Sequence, residues 1–209
     1  MADLNAITNA LIAGDAGTLT GLVQGAVNEG MEPKEILNDG LIKGMDIVGE
    51  RMQNGDMFIP EVLMAAKAMS ASVEILKPLL SAEDASAAGR VVMGTAKGDL
   101  HDIGKNLVLM MLESAGFEVI NLGVDVAPEK FVEAVKENDA TIVGISALLT
   151  TTMGAMKDTI DALTEAGYRD KVKVIVGGAP VTQKYADEIG ADGYAADAGS
   201  ASKLAKSFV

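Results

Sequence analysis

The sequence has no cysteine, no tryptophan and a single histidine among its 209 residues. Without cysteine it can form neither a disulfide nor a thiolate metal site, and it suits a reducing compartment, so a cytoplasmic location is expected. Basic residues are also scarce: Lys plus Arg is 17 against 30 for Asp plus Glu, a formal charge of −13. The basic footprint of a nucleic-acid binder is missing. No uninterrupted apolar run approaches the roughly 18 residues that span a bilayer. The opening "MADLNAITNALIAGD" has no basic stretch ahead of its apolar residues, so it does not read as a signal peptide. What the chain has instead is 49% hydrophobic residues, ample for a buried core in one large domain or two small ones.

The periodicity changes part-way along. Residues 1–80 carry helical signals only. Leu19, Leu22, Val23, Ala26 and Val27 recur at three- and four-residue spacing, as do Val62, Ala65, Ala66, Met69, Val73 and Leu76. Pro33 and Pro60 stand where a first helical turn accepts a missing N–H. Four helices are expected, at 3–13, 15–29, 33–53 and 59–80, forming a small bundle. Residues 81–89, "SAEDASAAG", read as a linker. From residue 90 to 209, five short β-branched runs ("RVVMGTA", "FEVINLGV", "ATIVGISAL", "KVKVIVGGA", "ADGYAAD") alternate with helical stretches. That alternation predicts βαβ units, hence an α/β domain with an open, doubly wound, five-stranded parallel sheet of Rossmann or flavodoxin type. Ligands in such sheets bind at the carboxyl ends of the strands, near the switch point. The loops at 95–104, 146–152, 177–182 and 195–199 are therefore the ones to examine.

The lone histidine, His101, falls in the first of these, "GDLHDIGKN". As a phosphate loop the segment fails. Five residues separate Gly98 from Gly104-Lys105 where four are needed, Asn106 replaces the required Ser or Thr, and Asp99 and Asp102 repel phosphate. G-x-G-x-x-G is absent as well. Two readings remain: an incidental histidine on a solvated loop, or a metal ligand. With no cysteine and no second histidine, an ordinary zinc site cannot be built. A single imidazole best suits a metal that arrives with its equatorial ligands attached, in a haem or a corrinoid, with a nearby carboxylate orienting the ring.

"DLHDIG", Asp99 to Gly104, resembles the D-x-H-x-x-G signature of the cobalamin-binding domains of methionine synthase and of the small corrinoid proteins of anaerobic methyltransferase systems. "GISALLTTTM" resembles that family's S-x-L-x-T segment after the third strand, and "VGGAPVT" its G-G-A segment after the fourth. "NGDMFIPEVLMAAKAM" resembles the last helix of the methylcobalamin cap. The resemblance covers essentially the whole chain and implies a helical cap at 1–80 and a cobalamin-binding domain at 90–209.

It further implies roles. His101 would coordinate cobalt from below in place of the cofactor's own base (base-off, His-on), and Asp99 would hold its other ring nitrogen. Thr152 would join the pair through a hydroxyl, where the family usually has Ser. Asp102, Ile103 and Gly104 would line the cofactor, Gly104 allowing close approach. Ser146, Leu148 and Thr150 would line the slot for the displaced tail, with Gly177 and Gly178 beside it, and Met57 and Phe58 would cover the upper face of the corrin.

The implied function is a methyl carrier, not a complete enzyme. A substrate:corrinoid methyltransferase with a TIM barrel would load the cobalt, a second methyltransferase would pass the methyl to coenzyme M or tetrahydrofolate, and a reductive activator would serve as a further partner. The competing readings are the cobalamin subunit of a carbon-skeleton mutase, a cobalamin-dependent light sensor or regulator, and a haem-binding sensor or electron carrier.

Overall fold

The computed structural model describes residues 3–80 and 88–209. The chain divides into two compact units, Met1–Ala87 with Ser114–Gly116, and Ala88–Glu113 with Phe117–Val209. Residues 81–87 of the expected linker lie outside the described residues.

The first unit is helical. Leu4–Ile12 and Ala16–Asn28 are capped by Asp3 and Asp15, whose carboxylates accept from Asn5 N and Thr18 N. The third helical stretch, 33–54, opens on Pro33 and contains a π-helical segment, Ile36–Ile42, before Lys43–Asn54. Periodicity predicted an unbroken helix here. Gly40 and Gly44 let it lie close to the first helix, since added Cβ atoms would meet Ile7 Cγ2 at 3.0 Å and Leu11 Cδ2 at 2.4 Å. The buried Thr8 hydroxyl lies 3.0 Å from the carbonyl oxygen of Gly40, inside the π segment. The fourth helix, Ile59–Leu76, starts at Pro60, with Phe58 N donating to Glu61. It stops at Leu76, short of the predicted residue 80, and gives way to a 3₁₀ turn, Lys77–Leu79, around Pro78. Most of the predicted apolar stripes lie in the core: Leu19, Val23, Ala26, Val62, Ala65, Ala66, Met69 and Leu76 are buried, while Leu22, Val27 and Val73 are half-buried.

The second unit is the predicted parallel sheet. Strands β1 (Arg90–Ala96), β2 (Glu118–Val126), β3 (Ile142–Ser146), β4 (Lys173–Gly177) and β5 (Gly193–Ala195) pair in the order β2-β1-β3-β4-β5. The chain reverses direction across the sheet between β1 and β3, so the switch point lies where the loops after these two strands emerge. β1, β3 and β4 are buried along nearly their whole length, as strands covered on both faces must be. Phe131, on helix Pro128–Asn138, is fully buried against β1 beside Val92, Val126 and Val143. It fits because Gly94 lacks a Cβ, which would stand 2.9 Å from its ring. The pairing of β1 with β2 is irregular: Met93 pairs Asn121, Gly94 pairs Gly123 and Ala96 pairs Val126, so β2 takes up one extra residue twice.

Two glycines of the helical unit should respond oppositely to alanine. Gly14, between the first two helices, has φ +67, and a Cβ there would meet Met64 Cβ at 2.8 Å. Gly14→Ala should cost about 1–3 kcal/mol in urea unfolding. Gly21, inside Ala16–Asn28, has nothing within 4 Å, and Gly21→Ala should stabilise by about 0.5–1 kcal/mol. Equal responses would contradict this packing.

Candidate functional site

The loops after β1 and β3 meet on one buried carboxylate. Asp99 has no exposed side-chain surface, whereas the side chain of His101, two residues on, is 51% exposed. Asp99 Oδ1 accepts from His101 N at 3.1 Å and lies 2.7 Å from His101 Nδ1. Asp99 Oδ2 accepts from Leu148 N at 2.8 Å, Leu149 N at 3.2 Å and the Thr152 hydroxyl at 2.7 Å. Burial opposes ionisation of Asp99, but the bonds from Thr152, the His101 ring, His101 N and Leu148 N outweigh it. They hold the carboxyl well below the usual carboxylate range. With Asp99 ionised, the proton of the shared hydrogen bond belongs to His101 Nδ1. In a neutral ring that leaves the lone pair on Nε2, on a side chain that is half exposed. This is the usual support of a metal-ligating histidine.

The other expected residues divide into those brought to this cluster and those that stand apart. Ser146 ends β3, half-buried, in register with Thr95 of β1 and Gly177 of β4. Gly178 has φ +129, and a Cβ on it would lie 1.9 Å from the carbonyl oxygen of Ala147; one on Gly177 would lie 2.8 Å from that of Ala195. The glycine pair therefore lets the strand-end loops touch. Leu148 gives its N–H to Asp99 while its side chain is exposed. Asp102 accepts from Asn106 N at 2.7 Å and from Asn106 Nδ2 at 3.1 Å at the start of helix Ile103–Ser114. Ile103 is 80% exposed and Gly104 faces open space. Thr150 is exposed, and the hydroxyl that joins the cluster is that of Thr152. In the helical unit Met57 is buried and Phe58 is 69% exposed. The loop after β5 is occupied with its own helix: Asp197 caps Ala198–Lys206 through Ser200.

Sequence reading missed several contributors. Leu149 acts through its backbone N–H, which leaves no mark on residue type. Lys105 is almost fully buried, with Nζ donating to Asn106 Oδ1 at 2.6 Å and Asn121 Oδ1 at 3.0 Å, and it ties the start of helix Ile103–Ser114 to β2. Burial lowers its pKa, and nearby Asp102 acts against that. Its signal was a lysine inside an apolar helical stretch.

The donor set fits a macrocycle-held metal. Among the described residues no group of three or more His, Asp or Glu side chains converges to hold an ion, so His101 offers one nitrogen. Around it Leu100 and Ile103 are 71% and 80% exposed, and Leu148 and Leu149 are also open. These apolar side chains beside a polar couple suit a broad, largely apolar ligand face.

Sequence comparison agrees: two models, each described as a B12 binding domain, match residues 89–202 and 3–77. The chain belongs to the B12-binding domain family. A dimethylamine corrinoid protein of Methanosarcina barkeri is 48% identical over 207 residues, covering 99% of this chain and 97% of that protein. Among solved structures, a cobalamin-binding protein from Desulfitobacterium hafniense DCB-2 matches with TM-score 0.87 and 36% identity over the full length of both chains. The methanol:cobalamin methyltransferase complex MtaBC from Methanosarcina barkeri matches with TM-score 0.84 and 34% identity, over 98% of this chain and 78% of that one. The B12-binding fold thus extends through both units. Among the described residues no helix is long and apolar enough to cross a membrane.

Two outcomes follow for this B12-binding domain. The pKa of Asp99 is lower in the folded chain than in the unfolded one, so its contribution to stability is complete above about pH 4 and is lost as the pH falls towards the folded value. The stability gap between wild type and Asp99→Asn, read from urea unfolding, should be constant at neutral pH and narrow below about pH 4. A gap that does not change with acid would contradict it. Gly178→Ala must either part the loops after β3 and β4 or force a strained φ, and should cost more than about 3 kcal/mol. A near-neutral effect in the same assay would show that the loops do not meet as described.

Proposed function

We propose that this chain is a corrinoid methyl carrier. One partner, a substrate:corrinoid methyltransferase, loads it; a second methyltransferase unloads it, with coenzyme M or tetrahydrofolate as the final acceptor; and a reductive activator restores the cofactor when it is lost to oxidation. The observation that carries this reading is the Thr152–Asp99–His101 chain, which engages the half-exposed ring through Nδ1 and leaves Nε2 unused by Asp99, with the exposed side chains of Leu100, Ile103, Leu148 and Leu149 on the same two loops. The dimethylamine corrinoid proteins at 46–51% identity add support and favour a methylated amine as the donor.

The bound corrinoid would supply a cobalt centre able to accept a methyl group and to give it up. The chain's own residues would hold and tune that centre. His101 would bind through Nε2, with the buried Asp99 carboxylate fixing the ring and raising its basicity. Ser146, Leu148, Gly177 and Gly178 would hold the tail. With Nε2 free, the ring could hold a second proton there, and the imidazolium would rest against the ionised Asp99 carboxylate. The Thr152 hydroxyl and the N–H groups of Leu148 and Leu149 keep Asp99 ionised, so the ring would keep its partner in either role.

The test is electron paramagnetic resonance of the cobalt(II) cobalamin-loaded protein with nitrogen-15 histidine. The axial hyperfine pattern should change on labelling and disappear in His101→Ala, which should still retain cofactor. Asp99→Asn should act more severely than a simple weakening. Its amide oxygen would take the three donors at the Oδ2 position, and its NH₂ would face the ring. The ring proton would then move to Nε2 and block coordination. Affinity should fall about 10–100-fold. A pattern unchanged by labelling would remove His101 as the ligand and end this reading.

A further inference from the structure

The carboxylate and imidazole of the site are held by each other and by the loop after β3. A separate question is what holds the backbone that carries them. Asp99 and His101 between them have two N–H groups and two carbonyl groups, each of which needs a partner. The two N–H groups are satisfied close by in sequence: Asp99 N donates to Ala96 O, at the end of β1, at 3.1 Å, and His101 N to Asp99 Oδ1 at 3.1 Å. The two carbonyls are satisfied by residues within β1 and β2. The hydroxyl of Thr95, a residue of β1 with no exposed surface, donates to His101 O at 2.9 Å. The N–H of Asp125, on β2, donates to Asp99 O at 2.9 Å. The carboxylate of Asp125 also accepts from Gly98 N at 2.7 Å, so this residue grips both sides of the Gly98–Asp99 peptide.

Asp125 reaches the loop by unusual means. It is one of two non-glycine residues among those described with positive φ, at +52, and it lies within the second of the two register shifts between β1 and β2. The second shift lies between the Gly123 and Val126 pairings, the span that contains Asp125. A regular parallel strand would advance in step with β1 and would not need a left-handed residue there. Backbone strain of this kind persists where surrounding contacts enforce it, and the contacts here are those to the loop that carries His101.

We infer that Thr95 and Asp125 are positioning residues for His101: together they fix the Gly98–His101 backbone so that the ring meets Asp99 through Nδ1 and presents Nε2. The significance of the inference rests on the proposed function, but its geometry does not. The lone histidine provides a probe in the full-length cofactor-free protein, because nitrogen-15 histidine labelling yields one ring and its shifts report which nitrogen carries the proton.

In the wild type the neutral ring should be Nδ1-protonated. Thr95→Val keeps the shape and removes the hydroxyl, and Asp125→Ala removes the acceptor for Gly98. Each should move the tautomer ratio about 5-fold towards Nε2-protonated and weaken binding of added methylcobalamin about 10-fold. Thr95→Ser and Asp125→Asn keep the hydroxyl and the carbonyl oxygen and should behave as wild type. Asp125→Gly relieves the positive φ without replacing the acceptor and should behave as Asp125→Ala. A wild-type tautomer ratio in both Thr95→Val and Asp125→Ala overturns the inference, and so does a wild-type ratio in Asp125→Gly. If the ratios shift as expected but the wild-type protein does not bind methylcobalamin, the positioning role stands and the proposed function fails.

Discussion

The structure of the sheet unit is organised around a carboxylate that has no access to water. A buried charge is tolerated only when its lone pairs are filled, and Asp99 fills its own with two groups of His101, two backbone N–H groups and one hydroxyl. Those donors come from the loops after β1 and β3. The switch point of the sheet is what brings them together, since β1 and β3 are neighbours in space but are separated in sequence by β2 and two helices. The loops must also stay close, and the glycine pair after β4 permits that by removing the side chain that would strike Ala147 O. Strand order, loop contact and carboxylate state are thus successive consequences of one constraint.

The division of labour along the chain follows chemical type. Apolar periodicity builds the two cores, and polar residues with few alternatives build the site. Lys105 belongs to the second group although it lies inside a helix. Its ammonium accepts burial because two amide oxygens receive it, and in return it joins helix and strand just where the His101 loop ends. In the helical unit Thr8 does comparable work, offering its hydroxyl to the π segment at Gly40 O.

Much of this was legible in the sequence, for physical reasons that differ by element. The helices at Ala16–Asn28 and Ile59–Leu76 announced themselves because one apolar face was needed, and the strands because β-branched runs alternated with helical ones. Pro33 and Pro60 marked helix starts by removing an N–H that has no partner there. Asp99, His101 and Thr152 were readable from motif resemblance, and the structure brings all three into one hydrogen-bonded chain. The π segment at Ile36–Ile42 was hidden, because a shift of one residue in hydrogen-bond register leaves the composition unchanged. The same holds for the two extra residues of β2. Leu149, Thr95 and Asp125 escaped notice because they act through or on backbone groups, which every residue shares.

The irregular pairing of β2 has a consequence at the margin of the sheet as well as at the loop. Strands β2 and β5 are its two edges, and an edge is a row of unpaired donors and acceptors open to a neighbouring chain. β5 offers only Gly193–Ala195, too little to template a new strand. β2 is nine residues long, but its two bulges and its left-handed Asp125 break the even spacing that another strand would need. Neither margin is a good surface for strand addition, and both resist self-association at high concentration. The methyl carrier proposed above, presenting its loops to other molecules in turn, would gain from edges that do not attract copies of itself.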